Sequence, residues 1–371
     1  MRFIKFVQPL IFAAAALSLA PATWADSERH DRDADVVYTM SNAPDGNRVL
    51  AFRTKHDGTL EPAGAFRTGG LGTGGGLGNQ GALATDGDFL LVVNPGSDDI
   101  SVFWEFRGRL KLVDRIASGG IQPVSVTIDR DLVYVLNAGS DSIAGFLLHW
   151  SGRLRALPGS EQALSDTGVG AAQIQFSRDG RTLIVTEKNS NKIVTFALNR
   201  AGLPIGREIT DSPGQTPFGF ALARGSQVLI SEAAGGAPNA SSISSFRLSR
   251  GGELKVLDPA VPTTESAACW VAVTPNSRFA YTTNTDSGTL SGFRILAEGQ
   301  LQLLNDDGVT ATTGVGSAPI DMTFSDRGEL LHVLGSGNGT ITSFAVSQRG
   351  ALRKLGSVGG LPAGTNGLVA F

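Results

Sequence analysis

The sequence predicts an all-β fold, a seven-bladed β-propeller of four-stranded blades. Three observations carry this. A phenylalanine recurs at Phe52, Phe103, Phe146, Phe196, Phe246, Phe293 and Phe344, at spacings of 43 to 51 residues. A Gly-x-Leu pair follows it at Gly58/Leu60, Gly108/Leu110, Gly152/Leu154, Gly252/Leu254, Gly299/Leu301 and Gly350/Leu352. Between these marks lie short apolar runs that alternate with polar residues and break at Gly, Asn, Asp and Ser, with no long segment of period 3.6. Four short strands repeated every 40 to 50 residues or so make a propeller blade.

The stretch Ala268–Leu301 shows the unit in full. An apolar run opens it, and Thr274-Pro275-Asn276-Ser277 makes a tight turn. Phe279–Thr283 forms a second strand ending on Asn284. A Ser/Gly/Asp loop leads to a third strand through Leu290 and Phe293, and the turn at Gly299 opens a fourth. The fourth copy departs from the pattern, reading Gly202-Leu203-Pro204.

The chain has 371 residues, 48 of them Gly, a net charge of −3 and a single cysteine, Cys269. That charge excludes a nucleic-acid binder carried by bulk positive potential. Length alone suggests two or three domains, but stacked blades share one ring. One cysteine leaves no internal disulfide, so the ring must stand on packing.

Residues 1–25 read as a secretory signal peptide. Arg2 and Lys5 precede the apolar run Leu10–Ala20, and small residues lead to cleavage after Ala25. The run is too short to span a bilayer comfortably. The expected product is therefore periplasmic or secreted, without membrane insertion after cleavage. Residues 26–35, DSERHDRDAD, carry charge without apolar residues and read as a disordered lead-in. The propeller is expected over 36–371. Val36–Met40 matches a second strand, and Asn366–Phe371 matches a first. The C-terminus should therefore complete blade 1 and remove an exposed sheet edge.

The run TGGLGTGGGLGNQG, Thr68–Gly81, reads as a flexible connection between blades 1 and 2. An anion nest of backbone N–H groups is the other reading, but no helix follows it and no Gly-Lys-Ser/Thr appears. Chain direction puts the ends of second strands and the starts of first strands on one face, the top. The long loops Pro158–Ala171, Glu232–Ser242 and Asn305–Ala318 belong there, where binding residues usually sit. Top loops are acid-rich and bottom turns arginine-rich, so the top face is expected to repel anions.

The segments Pro319–Gly328 (PIDMTFSDRG), Ala280–Asn284 (AYTTN) and Thr186–Asn191 (TEKNSN) carry a resemblance. Over Val36–Phe371 the chain resembles the β-propeller lactonase family, which includes bacterial 6-phosphogluconolactonases and fungal 3-carboxymuconate lactonising enzymes. The resemblance implies lactone hydrolysis at the top rim, where the family enters one blade with Pro-Arg-His and carries Asn-Glu at a strand-2 end. Here the His slots read Ala82, Ser125, Gln173, Gly219, Trp270, Asp321 and Leu368. The Arg slots read Gly81, Val124, Ala172, Phe218, Cys269, Ile320 and Gly367. Neither set holds the family residue, whereas Glu187 fits the family's Glu if the following loop is one residue shorter.

Lactone hydrolysis needs a base for water and donors for the developing oxyanion. Glu187 and Asp321 are the candidate catalytic bases. Gln173, Lys188, Glu232, Cys269, Trp270 and Asn284 are the candidate substrate-binding residues, with Lys188 and Gln173 polarising the carbonyl. Each has a structural counterpart: rim hydrogen bonds for the acids, a buried small hydrophobe for Cys269, a channel plug for Trp270. The histidines, His30, His56, His149 and His332, read as solvated or structural. No metal site is assigned, since no local ligand motif exists. Rim carboxylates would suit Ca²⁺, and no cofactor is required. The expected function is an exported lactonase-like hydrolase acting on a neutral or weakly charged lactone. The alternative is a non-catalytic propeller that binds a protein, glycan or cation through its top loops. No nucleic-acid partner is expected, and the chain is expected to be a monomer.

Overall fold

The computed structural model describes residues 35–371. The signal peptide expected over 1–25, and all of the lead-in except Asp35, lie outside the described residues. The described chain folds into seven antiparallel sheets, each one blade. Among the described residues no helix is long and apolar enough to cross a membrane.

Blade 1 is built from both ends of the chain. Its order, from the outside, is Leu60–Arg67, Arg48–Thr54, Val36–Met40 and, innermost, Asn366–Ala370. The closing pair holds the register Val37↔Ala370, Tyr38↔Val369 and Met40↔Asn366, with a bulge between the last two pairs. Phe371 follows the strand. Its N–H donates to the Val36 carbonyl at 2.9 Å, and its ring stands edge-on to Tyr38 with centroids 5.4 Å apart.

The innermost strands of blades 2 to 7 are Leu83–Thr85, Pro123–Asp129, Ala171–Phe176, Pro217–Leu222, Ala268–Val273 and Pro319–Ser325. In blades 3 and 6 the outer strand is broken in two, as Leu154–Ala156 with Gln162–Ala163 and as Leu301–Leu303 with Ala311–Thr312. The loops expected from Pro158 and Asn305 are thus partly excursions within an outer strand. Each forms beside a glycine of the third strand, Gly145 or Gly292. Ser160 Oγ accepts the Gly145 N–H at 2.9 Å, and Thr310 Oγ1 accepts that of Gly292 at 2.8 Å. A Cβ at either glycine would crowd that tucked-in side chain.

The repeated residues lock neighbouring blades. All seven phenylalanines are buried, at 5% exposure or less. The glycine of each Gly-x-Leu turn abuts the preceding blade. Tyr134 in blade 3 donates to the Gly202 carbonyl at 2.7 Å, and Tyr281 in blade 6 to that of Gly350 at 2.8 Å. Gly202 has φ +80°, and a Cβ there would lie 2.7 Å from Leu132. Glycine is therefore demanded twice over, by conformation and by contact. The fourth copy, which departs in sequence at Pro204, keeps the same turn. His332 is fully buried in the second strand of blade 7, its Nε2 2.8 Å from Ser325 Oγ and its Nδ1 2.9 Å from Ser343 Oγ.

Deleting Asn366–Phe371 removes the innermost strand of blade 1 and bares the edge of Val36–Met40. The expected loss is several kcal/mol, a large share of a typical stability of about 5–15 kcal/mol. Thermal melting and light scattering should show a markedly lower Tm and association. A truncated chain that melts within a degree or two of the intact one and stays monodisperse contradicts the closure.

Candidate functional site

An innermost strand pairs on one side only, and its other edge faces the channel and the next blade. N–H groups left on that edge need acceptors, because a buried unpaired donor is costly. The site grows out of how this chain supplies them. Ser125 Oγ accepts the N–H of Ile174 at 3.1 Å, from blade 3 to blade 4. Gln173 continues from blade 4 to blade 5: its Oε1 accepts the Phe220 N–H at 2.7 Å and its Nε2 donates to the Phe220 carbonyl at 3.0 Å. Asp321 closes the ring: its Oδ1 accepts its neighbour Met322 N–H at 2.9 Å and its Oδ2 the Leu368 N–H of blade 1 at 3.0 Å.

Blade 5 carries Gly219 in this slot and has no side chain to offer. Gln80 of the glycine-rich loop supplies the group instead. Its Oε1 accepts the Val271 N–H at 3.2 Å and its Nε2 donates to the Val271 carbonyl at 2.9 Å. A Cβ at Gly219 would lie 2.1 Å from that Oε1. The same loop reaches other blades. Gly81 carbonyl accepts the Val126 N–H and Gln80 N–H donates to Ala172, at 2.9 and 3.1 Å. Asn79 Nδ2 donates to the Val124 carbonyl, and Lys188 Nζ to that of Gly78. The run expected to be a plain flexible connection is a plug seated across the top of the channel.

Below the plug lies a cavity of about 350 Å³. It runs from Gln80, Gln173 and Asp321 toward Thr85, Gln175 and Phe324 near the bottom turns. Asp321 is the one ionisable side chain among the residues that line it. Burial raises its pKa from 3.8 to about 7, against the two backbone N–H groups, which pull it down.

The other candidates fall into two groups. Glu187 and Glu232 end second strands, are fully buried and do not line the cavity. Glu187 accepts Ser165 N–H at 2.9 Å, Ser190 Oγ at 2.6 Å and the Ser165 hydroxyl. Glu232 accepts Gly214 N–H at 2.9 Å and the hydroxyls of Ser212, Ser242 and Ser244. Asn284 does the same work with reversed polarity, donating to Thr289 Oγ1 at 2.9 Å and Ser291 Oγ at 2.8 Å. Asn94 repeats it toward Asp99 and Ser101 at 2.7 and 2.8 Å. The strand-2 end is a latch that ties the second strand to its surroundings. Its carboxylates are occupied by donors from nearby loops and strands.

Lys188, Cys269 and Trp270 instead gather under the plug. Lys188 Nζ stands 4.9 Å from the centroid of Phe218, whose ring is 4.8 Å from that of Trp270. Burial lowers the Lys188 pKa to about 8, with Cys269 nearby opposing the shift. Burial pushes the Cys269 thiol up to about 12, which keeps it protonated at neutral pH. Trp270 is 4% exposed, and its Nε1 has no acceptor among the described residues. Neither Phe218 nor Gln80 stood out in the sequence. The one signal for Gln80 was a polar pair, Asn79-Gln80, at the end of a run otherwise almost all glycine. Among the described residues no three His, Cys, Asp or Glu side chains converge to hold a metal ion.

These features define a seven-bladed propeller whose channel is plugged at one end and carries one acid beneath the plug. No protein-family model matches the chain, and no curated protein matches it in sequence. Solved structures match its fold. A Lactobacillus plantarum protein superposes with a TM-score of 0.75 at 16% identity, over 91% of this chain and 99% of that one. A Bacteroides fragilis protein, described as a candidate 6-phosphogluconolactonase, gives 0.73 at 16% identity, over 93% and 100%. The periplasmic gluconolactonase of Pseudomonas aeruginosa gives 0.72 at 18% identity, over 90% and 98%. At such identities what is shared is the propeller fold.

Two outcomes follow. The folded chain holds a proton on Asp321 where the unfolded chain has lost it, so this group's stabilisation is full below about pH 4 and is lost as pH rises through about 7. His332 acts oppositely. Burial lowers its pKa to about 4, so its contribution is present above about pH 6.5 and lost as pH falls toward 4. Denaturant titrations from pH 4 to 7 should therefore show Asp321→Asn gaining stability with pH relative to wild type, on a linkage of roughly 1.4 kcal/mol per pKa unit. Parallel pH curves contradict the shift. Replacing Glu232 with Ala strands four buried donors, and urea unfolding should register a loss of about 2–5 kcal/mol. A change below about 0.5 kcal/mol would remove the latch.

Proposed function

We propose that the protein is a lactonase-like hydrolase that opens a small neutral lactone in the channel, with Asp321 as the general base. One observation carries the reading: a single carboxyl lines a small-molecule-sized cavity, and burial raises its pKa to about 7. The propeller shared with a periplasmic gluconolactonase supports it. A carboxylate poised near neutrality takes a proton from water as the water attacks the lactone carbonyl. The tetrahedral oxyanion forms, the ring oxygen leaves, and the proton returns to it. No Lys or Arg lines the cavity, which favours a neutral lactone over a phosphorylated or polycarboxylate one. Export to the periplasm or medium after cleavage near Ala25 belongs to the same reading.

A panel of neutral and phosphorylated lactones assayed by acid release tests it. Turnover of a neutral lactone is expected. Asp321→Asn should lower it by about 10²–10⁴-fold, the usual worth of a positioned base. Because the base works deprotonated, kcat/KM should fall as pH drops below about 7. No turnover by a folded wild type overturns the hydrolase and favours a ligand-binding propeller. Full activity in Asp321→Asn moves the base elsewhere.

A further inference from the structure

The loop Thr68–Gly81 has two halves with different attachments. The first is pinned to blade 1. Thr73 N–H donates to Asn42 Oδ1 at 2.9 Å, and Asn42 Nδ2 donates to the Gly75 carbonyl at 2.7 Å. Gly72 runs so close that a Cβ would lie 2.1 Å from the Asn42 carbonyl carbon. The second half, from Leu77, is the plug, held by Lys188, Val124, Ala172 and Val271. Between the halves stand Gly75 and Gly76. A Cβ at either meets nothing within 4 Å, and neither has a positive φ. Every other glycine of the loop has a positive φ or a close contact that requires it. The Gly75 carbonyl is the last group pinned by Asn42, so glycine supplies its freedom to rotate just beyond it, at Gly76, as at a hinge.

What the plug covers is suited to a ligand. Lys188 gives its N–H to a peptide carbonyl, that of Gly78, and lies over the Phe218 ring. Trp270 packs against the same ring and holds a buried N–H with no acceptor among the described residues. A donor cation, an aromatic platform and an unused indole N–H match one chemistry: a small hydroxylated molecule bearing a carbonyl or carboxylate oxygen. The Gly78 carbonyl sits where that oxygen would be received.

We propose that Leu77–Gly81 is a gate hinged at Gly76 over a top-face binding site made by Lys188, Phe218 and Trp270. The site takes a small sugar acid or its carbonyl analogue, whose oxygen replaces that of Gly78 on Lys188. The gate swings out when this exchange is made, and Gln80 leaves the channel with it. The choice of ligand rests on the hydrolase reading, but neither the hinge nor the site depends on turnover.

The test uses D-gluconate and its neutral amide, titrated calorimetrically, with hydrogen exchange of 68–81 read by mass spectrometry. Gluconate should bind wild type and speed exchange in 77–81. If the amide binds as well, the carbonyl is the feature read; if gluconate alone binds, the charge is. Gln80→Ala unties the plug, so exchange should quicken and gluconate bind more tightly, by about threefold or more on the loss of one or two hydrogen bonds. Lys188→Met also unties it, so exchange should quicken, yet binding should weaken by about tenfold or more. These opposite binding effects on one loosened loop would not arise if the loop were only structural. Gly76→Ala meets no atom in the closed state, so Tm should hold while exchange slows and binding weakens. No gluconate or amide binding to wild type overturns the site, as does unchanged binding in Lys188→Met. Exchange in 77–81 that no variant alters overturns the gate. Lactone turnover enters none of these readouts, so the hydrolase can fail while the gate stands, and the reverse.

Discussion

The channel-facing edge of the innermost strands is the constraint on which the rest depends. Each strand there presents N–H groups that no sheet partner takes, in a place too buried for free solvation. The ring answers blade by blade, with Ser125, Gln173 and Asp321 reaching across to a neighbour. Where the slot is Gly219, a side chain from elsewhere must enter, and the glycine-rich loop exists in its seated form to bring Gln80 there. Where the slot is Trp270, no acceptor reaches blade 7, and Asp321 turns one oxygen back onto its own strand. The plug and the doubly bonded carboxyl are thus two consequences of one hydrogen-bonding requirement.

That origin shapes the chemistry. Asp321 is placed by a structural need, yet the need leaves it at the wall of a cavity with its pKa near neutrality. Two backbone donors fix its orientation, which a base requires. Burial outweighs them in setting its proton affinity. By contrast, Glu187 and Glu232 are surrounded by serines and glycine N–H groups that saturate them. The same residue type is saturated as a latch or left at a cavity wall with a raised pKa according to how many donors already claim it.

The fold was legible because its signals repeat. The phenylalanines and turn glycines mark contacts between adjacent blades, and seven copies average out local exceptions such as Pro204. Closure was legible because the second strand Val36–Met40 lacked its first. The site was less so. Gln80 meets Val271 and Lys188 meets Gly78 across large separations in sequence, 191 and 110 residues, and no local pattern encodes such pairs. Lys188, Cys269 and Trp270 come together at one rim, but the loop over them reads as a linker until its contacts are known. For Glu232, held by Ser242 and Ser244, a signal was present. Asn94 and Asn284 have partners five and seven residues on, Asp99 with Ser101 and Thr289 with Ser291. The strand-2 end is thus a latch in the repeat itself, and an acid in that slot inherits the latch.

The central claim is that Asp321 stands in the channel as a carboxyl titrating near neutrality. Infrared difference spectra of wild type against Asp321→Asn, recorded across pH, isolate the C=O stretch of its protonated form. The account predicts a protonated carboxyl that persists above pH 5 and disappears with a midpoint near pH 7. A midpoint in the ordinary range near 4 would contradict it. Asp321 would then be a structural acceptor alone, and the channel would hold no base.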